Sequence, residues 1–413
     1  MNGNQELLSD EKEKRKYGTF KRLSMVSLFA YICSLFVLSY SENLNIIPRG
    51  LFAILLVLSG LKCLVAKKLF KWDYTIFALI FMVVYNWISS FWVVCGTGVS
   101  TYMTTIPQLF LLYLVVRINI EDLKDLRLMF DAVVVGTMIM CFYCLLYYGP
   151  ANILSVFFNN SRIGTEVNQA NGMGTYCAIA GIFMIYYIAW EKKKWYIPFL
   201  IVDLVIMLAS ASRRSTLLLI VAVVVMLIMR KEKGRFKRAI IAVVLVIGIV
   251  YLLQYLAQIN GFFYRMAQTL EIFGGRTDDL TDGSILTRMS FYELAFKLFL
   301  RKPILGHGPV QFEYYNWLYN GFRRAPHSTY LQVLVGYGLL GFGAFYGMYV
   351  FFFAKLKAFL KQNKKYSVLI LALLIIHLVN DTGINYFATK FLYLFLAIFA
   401  CYLNMDVEKI PEE

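Results

Sequence analysis

Long apolar runs separated by polar segments dominate this 413-residue chain. Runs of roughly 17–25 apolar residues are long enough to cross a bilayer as α-helices. Hydropathy predicts about twelve such helices. Their approximate spans are 23–40, 48–66, 73–94, 100–116, 128–149, 172–190, 195–211, 215–229, 239–257, 327–354, 366–380 and 387–404. The pattern therefore predicts an all-α polytopic membrane protein.

The largest polar interruption lies between the ninth and tenth predicted helices, at 258–326. Within it, apolar residues recur at helical spacing from 286 to 300 and form one stripe. The stripe consists of Met289, Tyr292, Ala295, Phe296 and Leu300. Such an amphipathic helix is suited to lie on a membrane surface and to roof a cavity. We expect Pro303 to follow its end and residues 306–309 to form a tight corner.

These features divide the chain into membrane regions and loops. The predicted boundaries are 1–22 for a cytoplasmic N-terminal segment, 23–257 for transmembrane helices one to nine, 258–326 for a large extracytoplasmic loop with amphipathic helices, 327–404 for helices ten to twelve, and 405–413 for a cytoplasmic tail. The polar first 22 residues indicate that no cleavable signal peptide precedes the first helix.

Composition and charge agree with a membrane protein. Hydrophobic residues make up 60% of the chain and the mean hydropathy is +0.63. The net charge of +16 could indicate nucleic-acid binding. Lys and Arg are instead concentrated in alternate loops, which is the positive-inside pattern of membrane proteins. The distribution places both termini in the cytoplasm and excludes nucleic acid as the partner.

The seven cysteines follow no metal-binding spacing. Cys141 and Cys144 have CxxC spacing but lie inside a predicted helix, where small apolar packing is the better account. The three histidines are also spaced without a metal-ligand pattern. We therefore expect no metal and no cofactor.

Residues 323–331 combine two arginines and a histidine at the start of the tenth apolar run. Histidine titrates near neutral pH and can take a proton from a hydroxyl, which makes His327 a candidate base. Arginine holds phosphate oxygens in a fixed fork, which makes Arg323 and Arg324 candidate substrate ligands. The alternative is that His327 is a capping or interfacial residue. The combination favours chemistry on a phosphate-bearing substrate at the membrane surface.

Two further arginine positions favour the same chemistry. Arg213 and Arg214 open the helix at 215–229, and a helix N-terminus already favours anions. The alternative is that both side chains extend to lipid headgroups. Arg288 lies on the predicted amphipathic helix and could face either headgroups or a substrate.

Two weaker groups complete the candidate site. Arg162, Asn168 and Asn171 lie in an outside loop, where they are candidate substrate ligands. His377 and Asp381 are four residues apart on a predicted helix, and they form either a buried hydrogen-bonded pair or part of a cavity wall.

Three motifs in this order resemble the O-antigen ligase and O-antigen polymerase superfamily of bacterial envelope polysaccharide enzymes. They are Ser212-Arg213-Arg214-Ser215, then Arg288 upstream of Glu-Leu-Ala-Phe with Lys302-Pro303-Ile304-Leu305-Gly306-His307-Gly308-Pro309, and then His327-Ser328-Thr329-Tyr330-Leu331 with a downstream Gly-Leu-Leu-Gly. The resemblance covers a core at roughly 200–350. The doubled arginine leaves open which of the two is matched, and the motif does not ask for a histidine at 307.

The resemblance implies a metal-independent, inverting glycosyltransferase in the cytoplasmic membrane of a bacterium, with its active site facing outside. Its donor would be a polyprenyl-diphosphate-linked glycan. His327 would be the base on the acceptor hydroxyl. Arg288 and one of Arg213 and Arg214 would hold the diphosphate, and Arg162 would match another outside arginine.

The sequence leaves three functions open. A polymerase of capsular, exo- or O-antigen polysaccharide is favoured, because the chain is compact and lacks an extra soluble domain. A ligase that transfers a finished glycan to lipid A-core or another acceptor has the same motifs. A transporter of lipid-linked oligosaccharide or solute would show inverted repeats and midplane charges, and we see neither in the sequence. The expected partners are the glycan donor and acceptor, the bilayer, and, as candidates, a chain-length regulator and a flippase.

Overall fold

A computed structural model describes residues 2–38, 44–66, 71–159, 161–164, 167, 169–230, 248 and 283–413. These residues form fourteen α-helices and no strand. The helices are α1 (Asn2–Val37), α2 (Ile46–Ala66), α3 (Tyr74–Ser89), α4 (Val99–Asn119), α5 (Leu123–Tyr148), α6 (Pro150–Asn159), α7 (Ala170–Ala189), α8 (Ile197–Ala209), α9 (Arg213–Met229), α10 (Gly283–Arg301), α11 (Gln311–Asn320), α12 (Thr329–Lys361), α13 (Ser367–Asp381) and α14 (Lys390–Leu403). Three short 3-10 helices follow α3, precede α8 and follow α14.

The helical, multi-span character predicted from hydropathy is confirmed. Every predicted run falls on one of these helices except 239–257, which lies outside the described residues. Seven segments among the described residues are long and apolar enough to cross a membrane. They are Arg15–Val37, Ile46–Ala66, Tyr74–Trp92, Val99–Asn119, Leu123–Tyr148, Ala170–Ala189 and Thr329–Lys361. Twelve crossings and their orientation remain a prediction.

Three local features differ from the predicted pattern. Helix α1 begins at Asn2, so the polar N-terminal segment is continuous with the first apolar run. A short helix, α6, occupies the start of the outside loop that carries Arg162. The large loop contains a second helix, α11, between the predicted amphipathic helix and His327. Most of the earlier part of that loop, including Phe262, Phe263 and Tyr264, lies outside the described residues.

The chain divides into two units, which are described separately. Unit 1 comprises residues 1–70, 115–270 and 413, and unit 2 comprises residues 71–114 and 271–412. In unit 1, α5 packs against α1, and α7 packs against α5, α8 and α9. Gly136 permits the close approach of α5 to α1, because a Cβ atom there would lie 2.9 Å from the Cα atom of Cys33.

In unit 2, the long helix α12 packs against α3, α10, α11, α13 and α14. It is interrupted at Gly338, whose φ of 61° and ψ of −163° are not helical. Residues 303–308 compensate for the interruption. The amides of Leu339 and Leu340 donate to the carbonyls of Pro303 (2.8 Å) and Ile304 (3.3 Å). The backbone groups released by the break are therefore satisfied by the predicted corner.

Backbone amides of the same corner also donate hydrogen bonds to the part of α12 that precedes the break at Gly338. The amides of His307 and Gly308 each donate to a carbonyl of α12, Val335 and Gly336 respectively, at 2.8 Å. Glycine is required at this contact, because a Cβ atom on Gly306 would lie 2.6 Å from the backbone of Gly336. The glycines at this contact therefore permit close backbone packing between the corner and α12.

Helix α10 confirms the predicted helix but has two apolar faces instead of the single predicted stripe. Its buried face packs against α11 and α12, with Phe291, Leu294, Ala295 and Leu298 in a core with Phe312 and Val335. The other predicted stripe residues, Met289, Tyr292, Phe296 and Leu300, are exposed. Ala295 therefore belongs to the buried face, and the remaining stripe is free to meet a membrane surface.

Candidate functional site

In unit 1, the predicted arginines lie on a tight turn between α8 and α9, which we call the arginine turn (residues 210–215). Ala211 has a φ of 50°, which reverses the chain. The hydroxyl of Ser210 donates to the carbonyl of Met207 (2.6 Å), and the hydroxyl of Ser215 donates to that of Ser212 (2.7 Å). Arg213 and Arg214 are the first two residues of α9, as the sequence predicted.

The arginine turn packs tightly against the first part of α7. A Cβ atom on Gly174 would lie 2.6 Å from the Ser210 hydroxyl and 2.7 Å from the Ser215 hydroxyl. Both contacts are shorter than van der Waals distance, so a side chain at position 174 would displace the two hydroxyls. The small residue on α7 therefore sets the position of the two arginines.

The Arg214 guanidinium is anchored by α7. Its Nη2 atom donates to the carbonyl of Asn171 (3.3 Å) and to the hydroxyl of Thr175 (3.1 Å). That hydroxyl itself donates to the Asn171 carbonyl (2.8 Å). Both Arg213 and Arg214 are half-buried. Two cations beside the unpaired amides of a helix N-terminus form a suitable environment for an anion.

In unit 2, the segment between α11 and α12 carries the other predicted cluster, and we call it the histidine loop (residues 321–328). Gly321 ends α11 with a φ of 78°, a left-handed conformation that glycine adopts readily. The buried side chain of Asn316 donates to the carbonyls of Phe322 (2.8 Å) and Arg324 (3.4 Å). One amide on α11 therefore holds the backbone of the loop.

His327 precedes α12 and is not part of it. The helix begins at Thr329, Ser328 is its N-cap, and His327 has a left-handed φ of 53°. The half-buried imidazole stacks on Phe291 of α10, with ring centroids 5.9 Å apart and an interplanar angle of 15°. The helix predicted at 327–354 therefore begins two residues later, and His327 is positioned by the N-cap segment and the aromatic stack.

Behind His327, buried polar residues join α12 to the end of α13. The hydroxyl of Ser328 donates to the carbonyl of Asp381 (3.3 Å). The hydroxyl of Thr329 donates to the carbonyl of Ile384 (2.8 Å). The hydroxyl of Tyr346 donates to Oδ2 of Asp381 (3.1 Å). Asp381 therefore supports the residues that follow His327 from within the protein.

Comparison with known protein families identifies the region that contains both clusters. Residues 198–346 match the family model for O-antigen ligase. The match supports the resemblance of this part of the chain to the O-antigen ligase and polymerase superfamily. A comparison with curated proteins finds no match. The family supports an enzymatic role in glycan processing.

The matched O-antigen ligase domain contains part of the predicted site. Inside 198–346 lie Arg213, Arg214, Arg288, Arg323, Arg324 and His327. Outside it lie Arg162, Asn168, Asn171, His377 and Asp381. The arginine turn, Arg288 on α10 and the histidine loop are therefore the three described parts of the O-antigen ligase domain that carry candidate chemistry.

The arginines of unit 2 are less restrained than those of the arginine turn. Arg288 is half-buried on α10 and forms no hydrogen bond or ion pair with the described residues. Arg323 and Arg324 are exposed, and their guanidinium groups lie 5.7 Å from the Trp317 ring and 5.8 Å from the Phe322 ring. Cation–π contacts of this kind at exposed sites are weak.

The positive charge of Arg323 also affects the thiol of Cys95. Cys95 accepts a hydrogen bond from Arg323, at 3.9 Å between nitrogen and sulfur. The pKa of the Cys95 thiol is lowered, first by its hydrogen bond with Thr97 and then by the positive charge of Arg323. Arg323 therefore affects the segment before α4 as well as the histidine loop.

The residues outside the O-antigen ligase domain differ in accessibility. Arg162 is exposed, and the next residue is fixed because the amide of Ile163 donates to the carbonyl of Ala209 (3.1 Å). Asn171 is in the first turn of α7, where its carbonyl accepts from Arg214. Asn168 lies outside the described residues.

His377 and Asp381 share a helix and do not form the hydrogen-bonded pair considered from their spacing. Nδ1 of His377 bonds to the carbonyl of Leu373 (2.7 Å), while Asp381 accepts from Tyr346. The His377 ring is buried and lies 4.8 Å from the centroid of Phe395 and 5.4 Å from that of Phe399. Both residues therefore lie within the protein interior.

His307 connects the glycine corner to α10. Its Nε2 atom lies 2.8 Å from the carbonyl of Leu298, so this nitrogen carries the proton and donates it. The buried Nδ1 atom has no hydrogen-bond partner among the described residues. Burial lowers the pKa of His307 below its ordinary value, an effect that Lys302 and Arg301 increase. The turn residue predicted from sequence is therefore a buried connection between two helices.

Sequence reasoning missed the amides that hold the site. Asn316 fixes the histidine loop, and Gln311 accepts from the amides of Val94 (2.9 Å) and Cys95 (3.0 Å). Their fully buried positions on α11 distinguish them from solvated loop residues. Among the aromatic residues of α11, Phe312 belongs to the core, whereas Trp317 and Tyr319 are exposed.

Proposed function

We propose that this protein polymerises polyprenyl-diphosphate-linked oligosaccharide repeat units into capsular, exo- or O-antigen polysaccharide at the outer face of a bacterial cytoplasmic membrane. The observation that carries the proposal is the O-antigen ligase domain at 198–346, which contains His327 and Arg213, Arg214 and Arg288. Each step would transfer the growing chain from its lipid diphosphate to the next lipid-linked unit, by inverting and metal-independent glycosyl transfer.

Under this proposal, His327 is the base that takes the proton from the acceptor hydroxyl as that oxygen attacks the anomeric carbon. The left-handed backbone and the Phe291 stack restrict the imidazole, which supports a positioned rather than a mobile base. A base on the face opposite the leaving group gives inversion.

The arginines would stabilise the diphosphate that leaves. Negative charge develops on its oxygens as the glycosidic bond breaks, and a guanidinium fork stabilises that charge without a metal. Arg214 is supported in this role by its two hydrogen bonds to α7, which fix the guanidinium before the reaction. Arg288 is supported by its lack of a hydrogen bond or ion pair among the described residues.

The remaining candidates would contribute to substrate binding in two ways. Arg162, Asn168, Asn171, Arg323 and Arg324 would contact glycan or phosphate. Buried His377 and Asp381 would act indirectly, and Asp381 is supported in this by its carbonyl contact with Ser328, the N-cap of α12.

A ligase is the second candidate, and the description of the matched family favours it. It would use the same base and the same arginines, with lipid A-core or another molecule as acceptor. The distinction lies in the acceptor, so it must be tested by the products formed. Candidate partners in either case are a flippase that presents the donor and, for a polymerase, a chain-length regulator.

The deciding experiment compares glycans in cells that lack the gene and carry either the wild-type protein or His327→Ala. We expect the variant, at wild-type protein level, to reduce long chains by about 100- to 10,000-fold, as loss of a general base does. Single lipid-linked units should accumulate. The glycans are extracted, separated by size and divided into lipid-linked and transferred pools.

Lys297→Ala provides the matched control. Lys297 is exposed on α10 and, among the described residues, pairs only with Glu293 one turn away (2.6 Å), so its loss should leave chain length unchanged. Accumulation of long lipid-linked chains in His327→Ala would identify a ligase instead. Unchanged glycans in that variant would refute the role of His327 and favour a transporter.

A further inference from the structure

Three helices of unit 1 bring together residues that are far apart in sequence. Cys141 is on α5, Cys177 on α7 and Asp203 on α8. The Cys141 sulfur lies 3.8 Å from the Cys177 sulfur and 4.0 Å from Oδ1 of Asp203. One ligand atom from each of the three residues lies within 4.8 Å of the other two. The cluster is separate from the arginine turn and from every residue used in the proposed reaction.

These distances match the edges of a tetrahedral coordination site. Zinc binds thiolate at about 2.3 Å and carboxylate at about 2.1 Å, which separates two sulfurs by about 3.8 Å and a sulfur from an oxygen by about 3.6 Å. The observed separations are close to both values. Little side-chain movement is therefore needed to place an ion between the three residues.

The Asp203 carboxylate gives a second, independent indication that a ligand binds here. Asp203 is fully buried, and its Oδ2 atom has no hydrogen-bond partner among the described residues. Such an atom in an apolar helix bundle is costly unless a cation or a donor meets it. Gly181 leaves room beside it, because a Cβ atom there would lie only 3.1 Å from Oδ2.

We propose that Cys141, Cys177 and Asp203 bind one zinc-class divalent cation that connects α5, α7 and α8. The two sulfurs and one carboxylate oxygen occupy three corners of the tetrahedron, and Oδ2 completes the coordination as the second atom of a bidentate carboxylate. The ion displaces the protons of the two thiols, which pass to solvent during folding, so its double charge faces two thiolates and the Asp203 carboxylate, and the site carries one net negative charge. The role is structural, and it does not depend on the proposed glycosyl transfer.

Other sulfur atoms surround the cluster and agree with a borderline-soft ion. Cys144, one turn further along α5, lies 3.5 Å from the Met173 sulfur. Ions that bind oxygen alone, such as magnesium and calcium, have no preference for thiolates. The carboxylate favours zinc over a monovalent copper ion, which prefers thiolate and thioether ligands.

Metal analysis of the full-length protein tests the proposal. The protein is produced in zinc-supplemented medium, purified in detergent and analysed for metal by mass spectrometry. We expect about one zinc ion per wild-type chain, the stoichiometry of a single closed site. Cys141→Ser, Cys177→Ser and Asp203→Asn should each remove most of it. Cys33→Ser and Cys401→Ser, which change cysteines elsewhere, should retain it.

A spectroscopic measurement covers the case in which the three variants fail to fold. Wild-type protein produced with Co²⁺ should show the absorption of sulfur-to-cobalt charge transfer, and both control variants should retain that absorption. Zinc absent from the wild type, zinc retained by the three variants, or a disulfide between Cys141 and Cys177 would each overturn the proposal. Normal glycans in a folded variant without zinc would leave the proposed function intact and confirm that the two are independent.

Discussion

The arginine turn and the histidine loop both present arginines from the O-antigen ligase domain, but they hold them in different ways. Arg214 is half-buried and donates two hydrogen bonds to α7, while Gly174 leaves the turn no space to shift. Arg323 and Arg324 are exposed on a loop and rest on aromatic rings. The first group is fixed in place, whereas the second can change its conformation at little cost.

A glycan polymerase or ligase would have to bind both a diphosphate and a glycan, and the two groups of arginines suit these two tasks. The diphosphate has the same shape in every lipid-linked substrate, and a fixed cation stabilises its developing charge without reorganisation. The glycan varies in shape along a growing chain, so adaptable side chains suit it better. We therefore infer that rigidity separates the residues that serve the leaving group from those that serve the sugar.

Within this comparison of the two arginine groups, the largest effect should come from removing the fixed cation. We expect Arg214→Gln to slow the formation of long glycans by about 100- to 1,000-fold, as loss of a preorganised charge-stabilising donor does. The exposed Arg324 provides the comparison, and Arg324→Gln should slow it by less than about 10-fold, because exposed cation–π contacts contribute little. Both variants are measured at equal protein level after induction of expression.

Equal effects of these two substitutions would remove the distinction between fixed and adaptable arginines. Arg213→Gln extends the measurement, because the sequence does not decide which of the doubled arginines serves the diphosphate. A larger loss in Arg213→Gln than in Arg214→Gln would assign the role to Arg213, despite the hydrogen bonds of Arg214 to α7.

A smaller effect should follow from disturbing the support of the arginine turn. Gly174→Ala places a methyl group against the hydroxyls of Ser210 and Ser215. We expect it to destabilise the protein by about 1–3 kcal/mol, the usual range for overpacking. The midpoint of thermal unfolding in detergent measures this. Gly60→Ala is the control, because a Cβ atom there meets nothing within 4 Å. Equal midpoints for the two variants would show that the turn can shift.

Hydropathy predicted the helices well because the length of an apolar run is a local property of the sequence. The runs at 172–190 and 366–380, for example, agree closely with α7 and α13. The motifs also placed Arg213 and Arg214 correctly at the start of α9. In each case neighbouring residues alone determine the outcome.

Features that depend on distant residues could not be predicted in this way. The break at Gly338 requires the carbonyls of Pro303 and Ile304 to lie beside it, and only the folded chain brings them there. The sequence alone does not distinguish Asn316 from an ordinary polar loop residue. The cluster of Cys141, Cys177 and Asp203 draws on three helices, so it has none of the short spacing by which metal sites are recognised.

The smallest expected effect concerns His307, which supports the region around the histidine loop through α10 and α12. Because burial lowers its pKa in the folded protein from the ordinary 6.5, the unfolded chain binds a proton more readily. Stability should therefore fall as the pH decreases through about 6.5, and the fall should end below the folded pKa.

His307→Asn isolates this contribution, since an amide can still donate to the Leu298 carbonyl but does not titrate in this range. We expect thermal midpoints between about pH 5 and 8 to depend less on pH in the variant than in the wild type. An unchanged pH dependence would mean that protonated His307 finds a partner. That result would sharpen the contrast between fixed and adaptable regions. The corner around His307 would then accommodate a buried charge, whereas the arginine turn should not accommodate even a methyl group on Gly174.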